Sequence, residues 1–221
     1  MMTKVAALIF DVDGTLAETE EAHRYAFNRA FSESGLNWTW NQAIYRQLLK
    51  VSGGKERILA FAPDASPELV AGLHSRKNQI YTKMVASGQV SFRPGVESLI
   101  SSARAQGLKL AIATTATRAN VETLLGARKA FFHTIACAED VRLKKPDPEV
   151  YALVLKRLDV PADKCLVFED SPNGLKAATS IGLKVVITPS LYTRGQDFSA
   201  ATAVLPDLGG VSLARLIEIA G

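Results

Sequence analysis

Short apolar runs recur along the chain, with helical patterning between them. VAALIF (5–10), LKLAIAT (108–114), TIACA (134–138), CLVFE (165–169) and LKVVIT (183–188) predict short buried strands. The stretches around 95–106, 118–125, 147–158 and 172–181 read as helices; Pro94 opens the first and Gly182 stops the last. Strand and helix in alternation predict an α/β fold, a Rossmann-like doubly wound parallel sheet with helices on both faces. Residues 18–88 break the alternation, because no strand-like run occurs there. EEAHRYAFNRAFSESG sets Ala22, Tyr25, Ala26, Arg29 and Ala30 on one helical stripe and stops at Gly35. NQAIYRQLLK and SPELVAGLHSRKNQIYTKMV follow in the same style. The expectation is a core domain of residues 1–17 and 89–221, interrupted by an inserted α-helical domain over 18–88. LAET and VSFRPG are its two hinges.

Composition narrows the function classes. The 221 residues are 48% hydrophobic, which predicts a packed core and excludes disorder. A net charge of +4 without a run of like charges, and 7% aromatics, argue against a nucleic-acid partner. The mild basic balance suits a small anionic substrate as well as a plain solvated surface. Cys137 and Cys165 lack a CxxC spacing or a histidine partner, so they read as buried free thiols of a cytoplasmic protein. The opening apolar run is too short to span a membrane and lacks a cleavage site, so neither a leader nor a membrane partner is expected. No heptad pattern demands assembly, and a monomer is expected.

The candidate chemistry begins where the first strand ends. In LIFDVDGTLAETE, Asp11 follows the apolar run and Asp13 stands two residues on. Residues two apart in extended chain face the same way, roughly 6–7 Å apart. Gly14 then allows a sharp turn. Two neighbouring carboxylates resist joint ionisation unless a cation accompanies them, and an oxygen-only donor set without His or Cys favours Mg²⁺. One carboxylate can then attack phosphorus while the other moves protons. Asp-x-Asp-Gly alone fits a polar turn or a calcium-type loop better than a phosphoryl site. Three further strand ends supply more: Thr114-Thr115 after AIA, Lys145 before Pro146, and Glu169-Asp170 after CLVF. Hydroxyl, ammonium and extra carboxylates at carboxyl ends are the groups a Mg²⁺-assisted phosphoryl site needs.

With these motifs in this order the chain resembles the haloacid dehalogenase (HAD) superfamily of phosphotransferases. The resemblance implies that Asp11 is the nucleophile and Asp13 the general acid/base. It implies that Thr114 contacts the transferring phosphoryl group and Lys145 neutralises its charge. Asp11, the backbone carbonyl of Asp13 and Asp170 would hold Mg²⁺, with Glu169 in support. The insert takes the place of the family's C1 cap. Asp13 and the Glu169-Asp170 pair argue against the metal-free dehalogenases of the superfamily.

Within the insert, VSGGKERI sets two glycines ahead of a helix, so Gly53 and Gly54 leave backbone N–H groups free for an anion, with Lys55 and Arg57 adding charge. A flexible helix entry with solvated charges is the alternative. Glu20 and His23 share a helix face near the hinge. FDVDGTLAETEEAHRYAFN, GGKERI, ATTATRAN, KKPDPEVY, EDSPNGL and YTR resemble the CbbY-type branch, xylulose-1,5-bisphosphate phosphatases. This implies that Glu20, the run Gly53, Gly54, Lys55, Glu56 and Arg57, and also Thr117 and Asn120, meet the sugar and its distal phosphate. His23 joins them as a substrate-side candidate, and a small sugar phosphate is the expected partner. A β-phosphoglucomutase, a general sugar-phosphate phosphatase and a catalytically silent binding protein remain as alternatives.

Overall fold

The computed structural model describes residues 5–221. The reading of the N-terminal stretch, and the start of the expected core domain, fall partly on residues 1–4, outside the described residues. The elements run β1 (Ala7–Phe10), α1 (Glu20–Glu33), α2 (Gln42–Leu48), α3 (Gly54–Phe61), α4 (Pro67–Ala86), α5 (Val96–Ala105), β2 (Lys109–Ala113), α6 (Arg118–Leu125), β3 (Thr134–Ala136), α7 (Glu149–Leu158), β4 (Cys165–Glu169), α8 (Pro172–Thr179), β5 (Lys184–Ile187), β6 (Ala203–Val204) and α9 (Leu213–Ala220).

The strands pair in the order β3-β2-β1-β4-β5-β6, all parallel. Each central strand is apolar on both faces, and alternate residues go to opposite layers. Leu8 and Phe10 of β1, with Leu110, Ile112, Leu166 and Phe168, pack under α5, α6 and α9. Ala7 and Ile9, with Ala111, Ala113 and Val167, pack under α7 and α8. This is the expected doubly wound α/β core. The winding reverses at β1, whose neighbours are β2 on one side and β4 on the other, and such a reversal opens a crevice beyond the strand ends. Strand β6 and helix α9 lie beyond the elements expected from the pattern. Two residues of β6 carry too little apolar signal, whereas α9 buries Leu213, Leu216 and Ala220 in an ordinary amphipathic arrangement.

Helices α1–α4 enclose a separate aromatic cluster that includes Phe27, Phe31, Trp40 and Tyr45. The stripe expected on α1 is corrected in part. Ala22, Ala26 and Ala30 are buried, but Tyr25 is 53% exposed and Arg29 pairs with Glu33 at the surface. The buried surface extends beyond the alanines through His23, Phe27 and Phe31, since the large aromatics hold far more apolar area than Tyr25 would on the alanine side. The two connections to the sheet touch each other: Ala17 bridges Phe92, and Arg93 N donates to Leu16 O at 2.8 Å. The Arg93 guanidinium donates to Gly14 O, to Thr188 O at 2.6 Å and to Pro189 O at 3.0 Å. One half-buried cation thus ties two loop segments to its own at the carboxyl edge.

Among the described residues no helix is long and apolar enough to cross a membrane. Cys137 and Cys165 are buried free thiols, and burial raises them to about 12 and about 11, so they remain protonated.

Candidate active site

Four strand ends converge on one cavity. Asp11 leaves β1 with its N–H bonded to Phe168 O at 3.0 Å, so it stays in the sheet register. The chain then turns at Gly14, whose φ is +76°. A Cβ at this glycine would lie 2.2 Å from Asp170 Oδ2, so only glycine lets the first loop approach the fourth strand's acid. Asp11, Asp13, Thr114, Lys145 and Asp170 all line the cavity, together with Glu20 and Arg57 from the insert.

Lys145 is the charge centre. Its ammonium donates to Asp11 Oδ1 at 2.6 Å, to Glu169 Oε1 at 2.6 Å and to Ala113 O at 2.8 Å. Burial opposes its charge, but Asp11 and Glu169 more than offset that and raise its pKa. Asp11 is pushed up to about 8, by burial first, against the pull of Lys145 and with the push of Glu169. Asp170 is driven well above the usual carboxylate range by burial, then by the charges of Glu169 and Asp11.

Oxygens of Asp11, Glu169 and Asp170 lie within 4.8 Å of one another, and among the described residues Lys145 is the one cation bonded to them. A buried set of hard oxygen donors with excess negative charge fits Mg²⁺. The fit differs by residue. Glu169 Oε1 accepts from Lys145 and Tyr151, and Oε2 from Asp170 N and the Ser171 hydroxyl. Both its oxygens are engaged, so it braces the site, while Asp11 and Asp170 keep carboxylate oxygens for an ion. Thr114, buried after β2, accepts from Ala116 N at 3.1 Å through its hydroxyl oxygen and retains its O–H for a ligand.

Asp13 faces the insert. Its Oδ1 accepts from the Thr19 hydroxyl at 2.6 Å and lies 3.1 Å from His23 Nε2. Burial would raise its pKa, but His23, Thr19 and the charge of Lys77 hold it well below the usual range. Burial and Lys77 lower the pKa of His23, whose ring stacks on Tyr81 at 4.0 Å. A neutral ring donates Nε2–H to Asp13.

A second cavity continues from Asp13, Arg57 and Thr115 into the insert. It takes in His23, Gly53, Gly54, Thr117 and Asn120. Asn120 keeps a buried, unpartnered Oδ1, and Thr117 caps α6. Lys55 and Glu56 are the exceptions: both are exposed and line neither cavity. Helix α3 starts at Gly54, with Gly53 at φ +99°, and its first turn carries these two side chains outward. Glu56 pairs there with Lys144. Arg57 faces the cavity instead, joined by Lys77 of α4, which is buried against the rings of Phe27 at 5.0 Å and Tyr81 at 5.4 Å. His74 stands beside it, lowered to about 4 by burial and by the Lys77 and Lys55 charges.

Lys77, His74 and Arg93 are the residues sequence reasoning missed. Lys77 and His74 sit three apart in a helix with no motif around them. The one available signal was two polar side chains on an otherwise core-facing stripe of α4, with Val70, Leu73 and Tyr81.

Comparison with known proteins agrees with this geometry. The family pattern of haloacid dehalogenase-like hydrolases matches residues 8–188. Protein CbbY of Rhodobacter capsulatus is 49% identical over 225 residues, covering 98% of this chain and 99% of that protein. A phosphorylated carbohydrates phosphatase of Thermotoga maritima is 33% identical, over 96% of this chain and 95% of its own length. The crystal structure of a CbbY variant from Rhodobacter sphaeroides in complex with xylulose-1,5-bisphosphate superposes with a TM-score of 0.92 at 41% identity, covering 96% of this chain and 99% of that one. The four strand-end motifs, the helical insert and these likenesses over almost the full length place the chain among the haloacid dehalogenase-like hydrolases, in their CbbY-like branch.

Proposed function

We propose that this chain is a Mg²⁺-dependent phosphatase that hydrolyses a sugar bisphosphate, xylulose-1,5-bisphosphate, through an aspartyl-phosphate on Asp11. The observation that carries this reading is the pair of joined cavities. One holds Asp11, Lys145 and Asp170; the other holds Lys77 and His74; Asp13, Arg57 and Thr115 belong to both. A ligand with an anionic group at each end and hydroxyls between suits that charge pattern. The unpartnered Asn120 Oδ1 and the carboxylate of Glu20 offer acceptors for those hydroxyls. The CbbY relatives, one of them crystallised with xylulose-1,5-bisphosphate, support the choice of sugar.

In this reading Asp11 Oδ attacks phosphorus and the P–O bond to the sugar breaks. Lys145 and the Thr114 hydroxyl offset charge on the phosphoryl oxygens. Asp13 gives a proton to the departing sugar oxygen, then takes one from the water that frees Asp11 and releases phosphate. Since Thr19 and His23 hold Asp13 ionised, it takes up a proton from solvent as those bonds are exchanged on substrate entry, and the proton it later takes from water restores it for the next cycle. Asp11, Asp170 and the Asp13 carbonyl would hold Mg²⁺, which when bound supplies charge neutralisation at the acidic end. Arg57 and Lys77 bind the distal phosphate, with the Gly53 and Gly54 amides beside them.

The test is phosphate release from xylulose-1,5-bisphosphate, ribulose-1,5-bisphosphate and hexose phosphates, with Mg²⁺ and with EDTA. Release from xylulose-1,5-bisphosphate, abolished by EDTA and by Asp11→Asn, is expected. Rapid isomerisation of β-glucose-1-phosphate in the presence of a trace of the 1,6-bisphosphate, without phosphate release, would replace this reading with a mutase. No turnover of any phosphate ester would leave a binding protein.

A further inference from the structure

Tyr192 follows β5 in sequence, yet its ring is packed inside the aromatic cluster of the helical insert, with 1% of its surface exposed. It meets Tyr45 edge-on, with centroids 5.3 Å apart and 79° between the planes. The guanidinium of Arg46 stands 6.0 Å from its centroid. The neighbouring backbone is tied to the same region: Leu191 O accepts from Arg46 at 3.4 Å, and Leu191 N donates to Glu18 Oε1 at 3.3 Å. The Tyr192 hydroxyl is buried without a partner, so ring packing and not a hydrogen bond holds it.

Two side chains that line the acidic cavity lie next to this plug, one through its ring partner Tyr45 and one through the chain. The Tyr45 hydroxyl donates to Glu20 Oε2 at 2.6 Å, which fixes one oxygen of a carboxylate that faces the cavity. The next residue, Thr193, lines the cavity and accepts from Ser190 N at 2.8 Å. A single loop of the sheet domain therefore reaches into the insert's core and abuts the residue that orients Glu20.

We propose that Tyr192 is a positioning residue for substrate selection: it locks the insert on the sheet in the arrangement where Tyr45 holds Glu20 over the acidic cavity. The proposal rests on the reading of Glu20 as the contact for a sugar hydroxyl. It makes Tyr192 matter for phosphate esters that carry such a hydroxyl and nearly irrelevant for those that do not.

The experiment compares Tyr192→Ala, Tyr192→Leu and Tyr192→Phe on xylulose-1,5-bisphosphate and on p-nitrophenyl phosphate, which has no sugar hydroxyl. Tyr192→Ala should lower kcat/KM for the sugar by about tenfold or more, with less than about a twofold change for the aryl ester. Tyr192→Phe should restore wild-type behaviour, because the lost hydroxyl bonds to nothing. In a Glu20→Ala background, Tyr192→Ala should add less than about a twofold further loss. Equal losses on both esters, no loss in a folded variant, or full additivity with Glu20→Ala overturns the proposal. Tyr192→Leu supplies the same comparison if the alanine variant does not fold.

A second readout needs no turnover. The two tryptophans of the chain, Trp38 and Trp40, both belong to the insert's aromatic cluster. Their emission should shift to longer wavelength in Tyr192→Ala and stay unchanged in Tyr192→Phe. Unchanged emission in both variants overturns the lock. A shift in a protein that releases phosphate from no ester leaves the lock standing and defeats the phosphatase reading alone.

Discussion

The Lys145 ammonium donates to Asp11 Oδ1 at 2.6 Å, joining two buried residues 134 positions apart. Taking a charge out of water is expensive: Asp11 and Glu169 keep Lys145 charged, while Lys145 offsets part of the burial that raises Asp11. In the proposed chemistry the same ammonium meets the phosphoryl oxygens as Asp11 turns from carboxylate to acyl phosphate. Lys145→Met keeps the stem and removes the charge. Phosphate release should then fall on the order of 10²–10³-fold. A loss smaller than about tenfold, measured at saturating substrate and Mg²⁺, counts against the role assigned to Lys145.

The distal cavity should respond to pH through Lys77. Burial lowers this ammonium to about 8, with Arg57 pressing the same way and Asp13 and Glu20 opposing. It is therefore charged below about pH 8 and neutral above. For a bisphosphate, kcat/KM should decline as pH rises through that value, because this parameter reports the free enzyme. A monophosphate with no distal anion should lack the decline, and Lys77→Met should abolish it for the bisphosphate. The same alkaline limb in that variant would assign the titration to another group.

Gly14 admits no side chain. A Cβ there would meet Asp170 Oδ2 at 2.2 Å, and the φ of +76° disfavours any L residue. Gly14→Ala should push Asp170 away from Asp11 and open the acidic cluster. Mg²⁺ affinity, followed by titration calorimetry, should weaken at least about tenfold while the circular dichroism spectrum is retained. Wild-type Mg²⁺ binding in this variant would show that the ion does not sit between these two acids.

Stability should divide along burial. Phe31 is fully buried and packs against Trp40 with centroids 4.9 Å apart, so Phe31→Ala should destabilise the protein by about 3–5 kcal/mol. The Glu56–Lys144 pair links the insert to the sheet domain, but the Glu56 side chain is 45% exposed. Water screens such a pair, and Glu56→Gln should change stability by less than about 1 kcal/mol. Denaturant titration of both variants separates a buried packing contribution from that of a surface ion pair.

The sheet and its acidic chemistry were readable because their signals are local. Apolar runs such as LIF and LVF mark strands buried on both faces, and an acid directly after each run must emerge at the carboxyl edge. Gly14 announced its turn for the same reason. The insert was readable as helical, but not the full width of the buried face of α1: the alanines turn inward as the period says, while Phe27 and Phe31 carry the area beside them and leave Tyr25 and Arg29 at the surface.

Charge in the second cavity was not readable from the motif that promised it. GGKERI holds three ionisable residues in a row, and the rotation of a single helical turn sends Lys55 and Glu56 to solvent while Arg57 lines both cavities. Lys77 and His74 reach the same space from α4, and Tyr192 enters the insert from beyond β5. Local pattern settles which backbone forms and where a strand must stop, since propensity and burial period act over a few residues. Which side chains from distant segments share a cavity depends on how helices rotate and dock, and that is set by the packing of the whole molecule.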